Sequence, residues 1–367
     1  MEPLTVKYKY GNRSDFYSTL KQRVDQYFID NNTTKFANGL MVAKTIFFFS
    51  MVAVSYGLII SGIFAPWQML ILAIIFGMSS AFFVFNVAHD ASHGAYSPNP
   101  KVNSFLSYVW NLVGLSSYMW DLKHNISHHT YTNVNGADVD IDQGFLLRFH
   151  PMAKRKPHHR LQHIYAPILY GLFSIYAILI KDFQLYTTKR FGNKVITGHH
   201  WGQYLILILS KVIYISYSLI IPYVLLDITI WQLLFAFFMM HMMIGNIMAF
   251  ILTPVHVTHG TDFVEPNAKG EIDSSWAVHQ INCTKDFAAE SRLVNWFAGG
   301  LNTHVAHHIF PTICHIHYLD LTKIIKQTAK DFGIEYTNLS LLGSVKNHLS
   351  FLKALGREDD PGGALTV

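Results

Sequence analysis

Residues 67–93 read WQMLILAIIFGMSSAFFVFNVAHDASH. Trp67–Ala88 carries no charged side chain over a length that crosses a bilayer, for which about 20 apolar residues suffice. Two histidines follow at once, His89 and His93, spaced to share one face of a helix. Two further clusters repeat this arrangement beside other apolar stretches: His124, His128 and His129 in HNISHH, and His304, His307 and His308 in HVAHH. Neutral imidazole is a ligand for iron, copper, zinc and nickel. One histidine pair is usually an ordinary structural feature. Three clusters with the same spacing logic supply enough ligands for two metal ions.

Composition places these clusters at a membrane. The chain is 51% hydrophobic and 14% charged, with mean hydropathy +0.23, against about 25% charged residues in soluble domains. Four runs are read as transmembrane helices: Thr45–Phe64, Trp67–Ala88, Tyr204–Leu226 (with Lys211 inside it) and Trp231–Thr253. Ala65-Pro66 and Asp227–Thr229 are tight turns, so the four spans form two hairpins. Ser104–Trp120 and Leu161–Ile180 are uncharged too. The second is flanked by Lys154, Arg155, Lys156 and Arg160 before it and by Lys181, Lys189, Arg190 and Lys194 after it. Positive charge on both flanks keeps both ends on the cytoplasmic side. Parity agrees, because a single extra crossing would place the third cluster on the opposite face from the first. Both stretches are therefore read as interfacial helices.

The expected fold is an all-α integral membrane protein of four transmembrane helices, with interfacial helices and a cytoplasmic cap, as one domain over 1–367. Residues 1–44 are a cytoplasmic N-terminal segment with no cleavable signal, 45–253 the membrane part, 254–356 the cap and 357–367 a flexible tail. Lys and Arg fill 1–44, 89–203 and 254–367 and are missing from the far-side turns, which puts both termini in the cytoplasm. That membrane is the plasma or inner membrane in a bacterium and the endoplasmic reticulum in a eukaryote. The lipid bilayer is a partner and nucleic acid is not. Basic runs at 154–160 and 189–194 answer anionic headgroups.

The residues also limit the chemistry. Cys283 and Cys314 form no C-x-x-C pair and read as small buried hydrophobes. No H-E-x-x-H zinc motif occurs, and no glutamate is followed by histidine three residues on, which removes the ferritin-like di-iron design. A site of nitrogen ligands beside a bilayer suits oxygen chemistry on a hydrocarbon chain. Desaturation and hydroxylation share such a site. A metal transporter would instead carry its ligands at the membrane midplane.

The three clusters resemble the histidine boxes of the membrane fatty acid desaturase superfamily, over nearly the whole chain. HIYAPILYGL (163–172) and GGLNTHVAHHIFPTICHIHY (299–318) are similar to its acyl-CoA and front-end branch. The resemblance implies two non-haem iron ions, O2 as co-substrate and an acyl-CoA or acyl-lipid substrate. It implies one further ligand from the cytoplasmic end of the fourth span, assigned to His256, with His259 as the alternative. His304 stands where front-end enzymes usually have Gln. Pro361-Gly-Gly lacks the histidine of the HPGG heme motif, so a separate ferredoxin or b-type cytochrome is expected to deliver electrons. Asp90, Asp121 and His163 are candidates to support the ligands from outside, since metal-bound imidazoles donate their second N–H. His150, His158, His159, His199, His200, His279, His315, His317 and His348 are read as surface or interfacial. His241 sits in mid-span, where an ionisable residue marks either function or a neutral ring bonded to a neighbouring helix. Asp138, Asp140 and Asp142 read as a solvated loop.

Overall fold

The computed structural model describes residues 5–9, 15–142, 144–358 and 365–366. The chain is mostly helical. Its strands are two-residue pieces, such as the parallel pair Lys7–Tyr8 with Glu271–Ile272. The long helices are labelled here: α1 Asp15–Asp30, α2 Gly39–Ile60, α3 Pro66–Ser92, α4 Pro157–Thr187, α5 Trp201–Leu225, α6 Ile230–Leu252, α7 Tyr318–Asp331 and α8 Leu341–Leu355. Among the described residues, five of these (α2 to α6) are long and apolar enough to cross a membrane.

Capping chemistry sets the ends. Asn38 Oδ1 accepts from the amides of Leu40 and Met41, so α2 begins six residues before the apolar run. Gly62, at φ +69°, turns the chain toward α3, which opens on Pro66. Thr229 and Gln232 form a reciprocal cap at the start of α6. Leu226 lies against Gly62, so the two hairpin turns meet at one end of the bundle, the end opposite the histidines.

The bundle is tight where side chains are small. A Cβ on Gly245 of α6 would lie 2.6 Å from the carbonyl oxygen of Gly171 and closer still to that of Tyr170, both in α4. A Cβ on Gly77 of α3 would lie 2.6 Å from Met240 Cγ. Small residues let membrane helices approach this closely. The cation inside α5 is paired: Lys211 donates to Asp182 of α4 and to the Gly114 carbonyl, and all three are enclosed. A buried charge without such a partner would be strongly destabilising.

Both ends of α4 lie on the histidine side. Gln162 donates to the Leu352 carbonyl of α8, while Tyr186 donates to the Gln203 carbonyl at the start of α5. Between them, Ser174 meets His241 halfway along α6. Ser104–Trp120 is not one helix. It breaks into Pro100–Ser107, Val109–Leu112 and Ser117–Asp121, with Gly114 at φ +84° against the Tyr214 ring.

The N-terminal segment is part of the cap. Phe16, Leu20 and Val24 of α1 pack with Val305, Ile309, Leu321 and Ile325 in one buried cluster. The tail read as 357–367 falls largely outside the described residues, and Leu365–Thr366 pairs in parallel with Phe263–Val264.

Candidate metal centre

The first two histidine clusters sit on helices that change pitch. Val84–Ala88 is π-helical just before His89, and Leu122–His128 is π-helical through the second cluster. Such segments are uncommon and recur at functional sites. In the second cluster the wider turn brings residues five apart together, so His124 Nε2 and His129 Nε2 stand 3.0 Å apart. The α-helical spacing read from sequence does not foresee that pair. The third cluster is the short helix His304–Ile309.

These elements gather two quartets of ligand atoms, His89, His93, His124 and His307 in one, and His128, His256, His304 and His308 in the other. His129, His307 and His308 make a third group between them. Within each group the ligand atoms lie within 4.8 Å of one another. All eight box histidines and His256 are thus in one place. His256 is with them because Thr253 and Pro254 end α6 in a turn that returns its ring to the bundle. His259 is not; its ring packs on Phe351.

The second quartet is oriented from outside. The Nδ1–H of His256 donates to the Cys283 carbonyl (3.0 Å), that of His304 to the Leu301 carbonyl (3.0 Å), and that of His308 to Gln280 Oε1 (2.8 Å). His128 Nδ1 donates to Asp138 Oδ2 at 3.0 Å, and the same oxygen accepts the Asn133 amide. Every outer nitrogen being a donor, every Nε2 points inward as a ligand. In the first quartet both nitrogens of His89 and of His307 and Nε2 of His93 are buried without a hydrogen-bond partner. Buried polar atoms are rarely left so. His128 Nε2 and His256 Nε2 are 3.2 Å apart, a contact between two rings whose Nδ1 atoms both donate outward that a proton or a metal ion has to bridge. The residues present therefore fit a pair of metal ions.

Electrostatics agree. Burial, then neighbouring imidazoles, push His93, His124, His129, His304, His307 and His308 well below the ordinary histidine range, and His256 to about 3. These rings are neutral, as ligation requires. Burial also lowers His128, but the charge and hydrogen bond of Asp138 outweigh it and the net shift is upward.

The supporting residues differ from those expected. Asp90 does not hold His89, whose Nδ1 is 4.0 Å away; it accepts His315 Nδ1 at 2.8 Å, and His315 Nε2 meets Lys44 Nζ at 2.7 Å. Asp121 accepts from Asn125, which also donates to the Ser92 carbonyl, so it ties two boxes together without touching a ligand. His163 is apart from the centre, with Lys353 and Arg357 as its charged neighbours. Asp138 and Gln280 are the missed supports. Asp138 is buried, not solvated, because Asn133 (φ +57°) and Gly136 (φ +73°) fold its loop back under His128. The turn-forming string NVNG ahead of it was the available signal. His150, His159, His279, His315, His317 and His348 are likewise buried rather than at the surface. Cys283 and Cys314 are buried, as read from sequence.

The sequence model of the family described as "Fatty acid desaturase" matches residues 65–340, which span all three clusters. The chain belongs to the fatty acid desaturase family. It is 32% identical over 362 residues to the sn-1 linoleoyl-lipid 6-desaturase of Synechocystis sp., covering 95% of this chain and 98% of that one. It is 30% identical to the protein of the same description from Arthrospira platensis, covering 97% and 96%. A probable Delta(5) fatty acid desaturase C from Dictyostelium discoideum is 32% identical, covering 96% of this chain and 78% of that one. The chain is accordingly a multi-pass membrane oxidoreductase, a fatty acyl desaturase, in a family that works with a di-iron centre. Its histidine boxes are the groups able to hold that metal.

Proposed function

We propose that this desaturase holds two iron ions, one in each histidine quartet, and acts on the acyl chain of a membrane lipid. The observation that carries the reading is the pair of quartets, each with its ligand nitrogens within 4.8 Å of one another, with nitrogens of His89, His93, His307 and His308 buried without a hydrogen-bond partner. When bound, the iron pair supplies the oxidising power that removes two hydrogens from neighbouring carbons while O2 is reduced to water with two external electrons.

The chain's own residues do the rest. Asp138, Gln280 and the carbonyls of Cys283 and Leu301 fix the rings so that the ligand nitrogens need not reorganise. Trp120 lies over His124 (centroids 4.4 Å) and stacks on Trp110 (5.0 Å), and this aromatic wall separates the ligands from an apolar chamber inside the bundle. The wall and chamber keep water from the oxidising site and leave the acyl chain as the available hydrogen source. A lipid-linked substrate, desaturated toward its carboxyl end, is supported by the descriptions of the relatives from Synechocystis sp. and A. platensis. A separate ferredoxin or b-type cytochrome supplies the electrons.

For topology we propose four crossings, with both termini and all histidines in the cytoplasm. α4 then lies along the cytoplasmic interface with its middle dipped into the bundle. Support comes from its two ends, both of which bond to elements on the histidine side, and from the basic flanks. Expression in a host with simple lipids, with an electron donor supplied and fatty acids analysed by gas chromatography–mass spectrometry, tests the activity. We expect a new cis double bond near the carboxyl end of lipid-bound chains. A product found only on acyl-CoA, or a hydroxy acid, refutes the reading.

A further inference from the structure

Among the described residues four aspartates and no glutamate are buried: Asp90, Asp138, Asp182 and Asp286. A carboxylate enclosed in protein is costly unless a cation answers it. Two of the four have one. Asp182 accepts from Lys211, and Asp90 accepts from His315, whose other nitrogen meets Lys44. Asp138 and Asp286 do not: among the described residues no lysine or arginine pairs with either. The lysine near Asp138, Lys123, is taken by the partly exposed Asp140 at 2.7 Å.

Both unanswered carboxylates are bonded to the same half of the metal centre. Asp138 Oδ2 accepts His128 Nδ1–H (3.0 Å) and the Asn133 amide, while Oδ1 accepts the Asp140 amide. Asp286 lies at the start of the short helix His304–Ile309. Its Oδ1 accepts the Val305 amide at 2.8 Å, the His304 amide bonds to it as well, and its Oδ2 accepts Tyr336 O–H at 2.6 Å. With His128 as a neutral ligand, every one of these donors is neutral. Such bonds lower the cost of a buried charge without cancelling it. His128 and His304 belong to the quartet completed by His256 and His308. The quartet of His89, His93, His124 and His307 is served differently. Asp90 is 4.0 Å from His89 but is answered by Lys44 through His315, and Asp140, near His124, is answered by Lys123.

We propose that Asp138 and Asp286 are the counter-charges of the metal ion in the second quartet, so that the two metal positions are electrically unequal. This rests on the two-metal reading proposed above. Imidazoles ligate as neutral groups and bring no negative charge, so each divalent ion adds two positive charges to an enclosed interior. In the second quartet two carboxylates balance an ion of charge two. In the first the ion keeps its charge, because the aspartates near it already have lysines. The second quartet is therefore the tighter site for a divalent cation. The first is the one that draws a small anion from solvent to complete its charge balance.

Cobalt(II) added to the metal-free, full-length protein in detergent reads each site by its ligand-field absorption, and azide serves as the anion. His256→Ala shows which binding step belongs to the second quartet. Asp286→Asn removes the charge and keeps the shape: its oxygen still accepts the two amides, and its NH2 donates to a Tyr336 hydroxyl that turns round. The second-quartet step is expected to weaken about tenfold or more while the first-quartet step stays unchanged. Tyr336→Phe removes a hydrogen bond but leaves the charge, and should leave both steps nearly unchanged. Azide should perturb the first-quartet cobalt of the wild type and not the second, and in Asp286→Asn it should bind at the second as well. Equal weakening of both steps by Asp286→Asn, no weakening, or an equally large loss in Tyr336→Phe overturns the proposal. So does azide binding as readily at the second quartet of the wild type as at the first, a result that decides the matter even if the Asp286 variant does not fold. A single cobalt step in the wild type would count against the two-metal reading itself.

Discussion

Asp138→Asn tests whether the site is tuned from outside. Asp138 is 3% exposed and receives three donors: His128 Nδ1–H at 3.0 Å and the Asn133 amide at 2.9 Å on one oxygen, and the Asp140 amide at 2.9 Å on the other. Asparagine has nearly the same shape but a single acceptor. If its oxygen stays on His128 and Asn133, its NH2 faces the Asp140 N–H, donor against donor. If it turns over, His128 loses the bond that fixes its tautomer. Loss of an outer partner of a metal-bound imidazole lowers metal affinity about 10–100-fold, or about 1.4–2.7 kcal/mol. The effect belongs to the quartet His128, His256, His304 and His308, since Asp138 bonds to no histidine of the other. Cobalt(II) titration of the detergent-solubilised, metal-free protein, followed by its ligand-field absorption, should show two binding steps in the wild type. In the variant one step should weaken by that factor while the other stays. Equal weakening of both steps, or of neither, would show that the two quartets are not independent sites or that Asp138 does not orient a ligand.

His256→Ala should abolish turnover with the protein still in the membrane, whereas His259→Ala, whose ring only packs on Phe351, should retain it; the reverse result reassigns the ninth ligand. His315→Ala strips partners from both Asp90 and Lys44 inside the protein, and we expect a lower melting temperature equivalent to about 1–3 kcal/mol, read by thermal unfolding in detergent; an unchanged melting point would contradict its buried bonds. Gly245→Val drives side-chain carbons into the α4 backbone and should destabilise by about 3 kcal/mol or more, visible as loss of folded protein on size-exclusion chromatography. Single cysteines at Lys156 and Lys189 should both be protected from an impermeant reagent added to intact cells, and labelling of one alone would make α4 a crossing. The metal-free protein should lose stability as pH falls from about 6.5 toward 4. His279 and His348 are each lowered to about 4 by burial, so over that window the unfolded chain binds more protons and unfolding gains about 3 kcal/mol per residue. Asp286, raised to about 7 by burial, and His128, raised by Asp138, act in the opposite direction but are outnumbered by the lowered histidines, those of the metal-free centre included, and a midpoint that rises on acidification would refute the balance.

Much of this was legible in the sequence, because the signals are local. Apolar runs of about 20 residues must satisfy their backbone in helices, and the four strongest runs became α2, α3, α5 and α6 with ends shifted by a few residues where caps such as Asn38 and Pro66 intervene. The eight clustered histidines stand out because their spacing is written along the chain, whereas His256 is reached only through the resemblance to the desaturase family. What sequence did not reveal depends on elements distant in the chain. Asp138 reads as one of a solvated acidic run until a turn folds it beneath His128. His315 reads as a surface residue until it is placed between Asp90 and Lys44, 225 and 271 residues away. The pairing of Lys211 with Asp182, and the gathering of eight of the nine rings into two quartets with His129 between them, arise only when helices pack. Composition and periodicity act within a single helix, so the sequence alone singled out the histidine clusters and the apolar segments that became long helices. Tertiary structure decided which rings stand within ligand distance of one another and which groups orient them, because burial and hydrogen bonding are properties of neighbours in space.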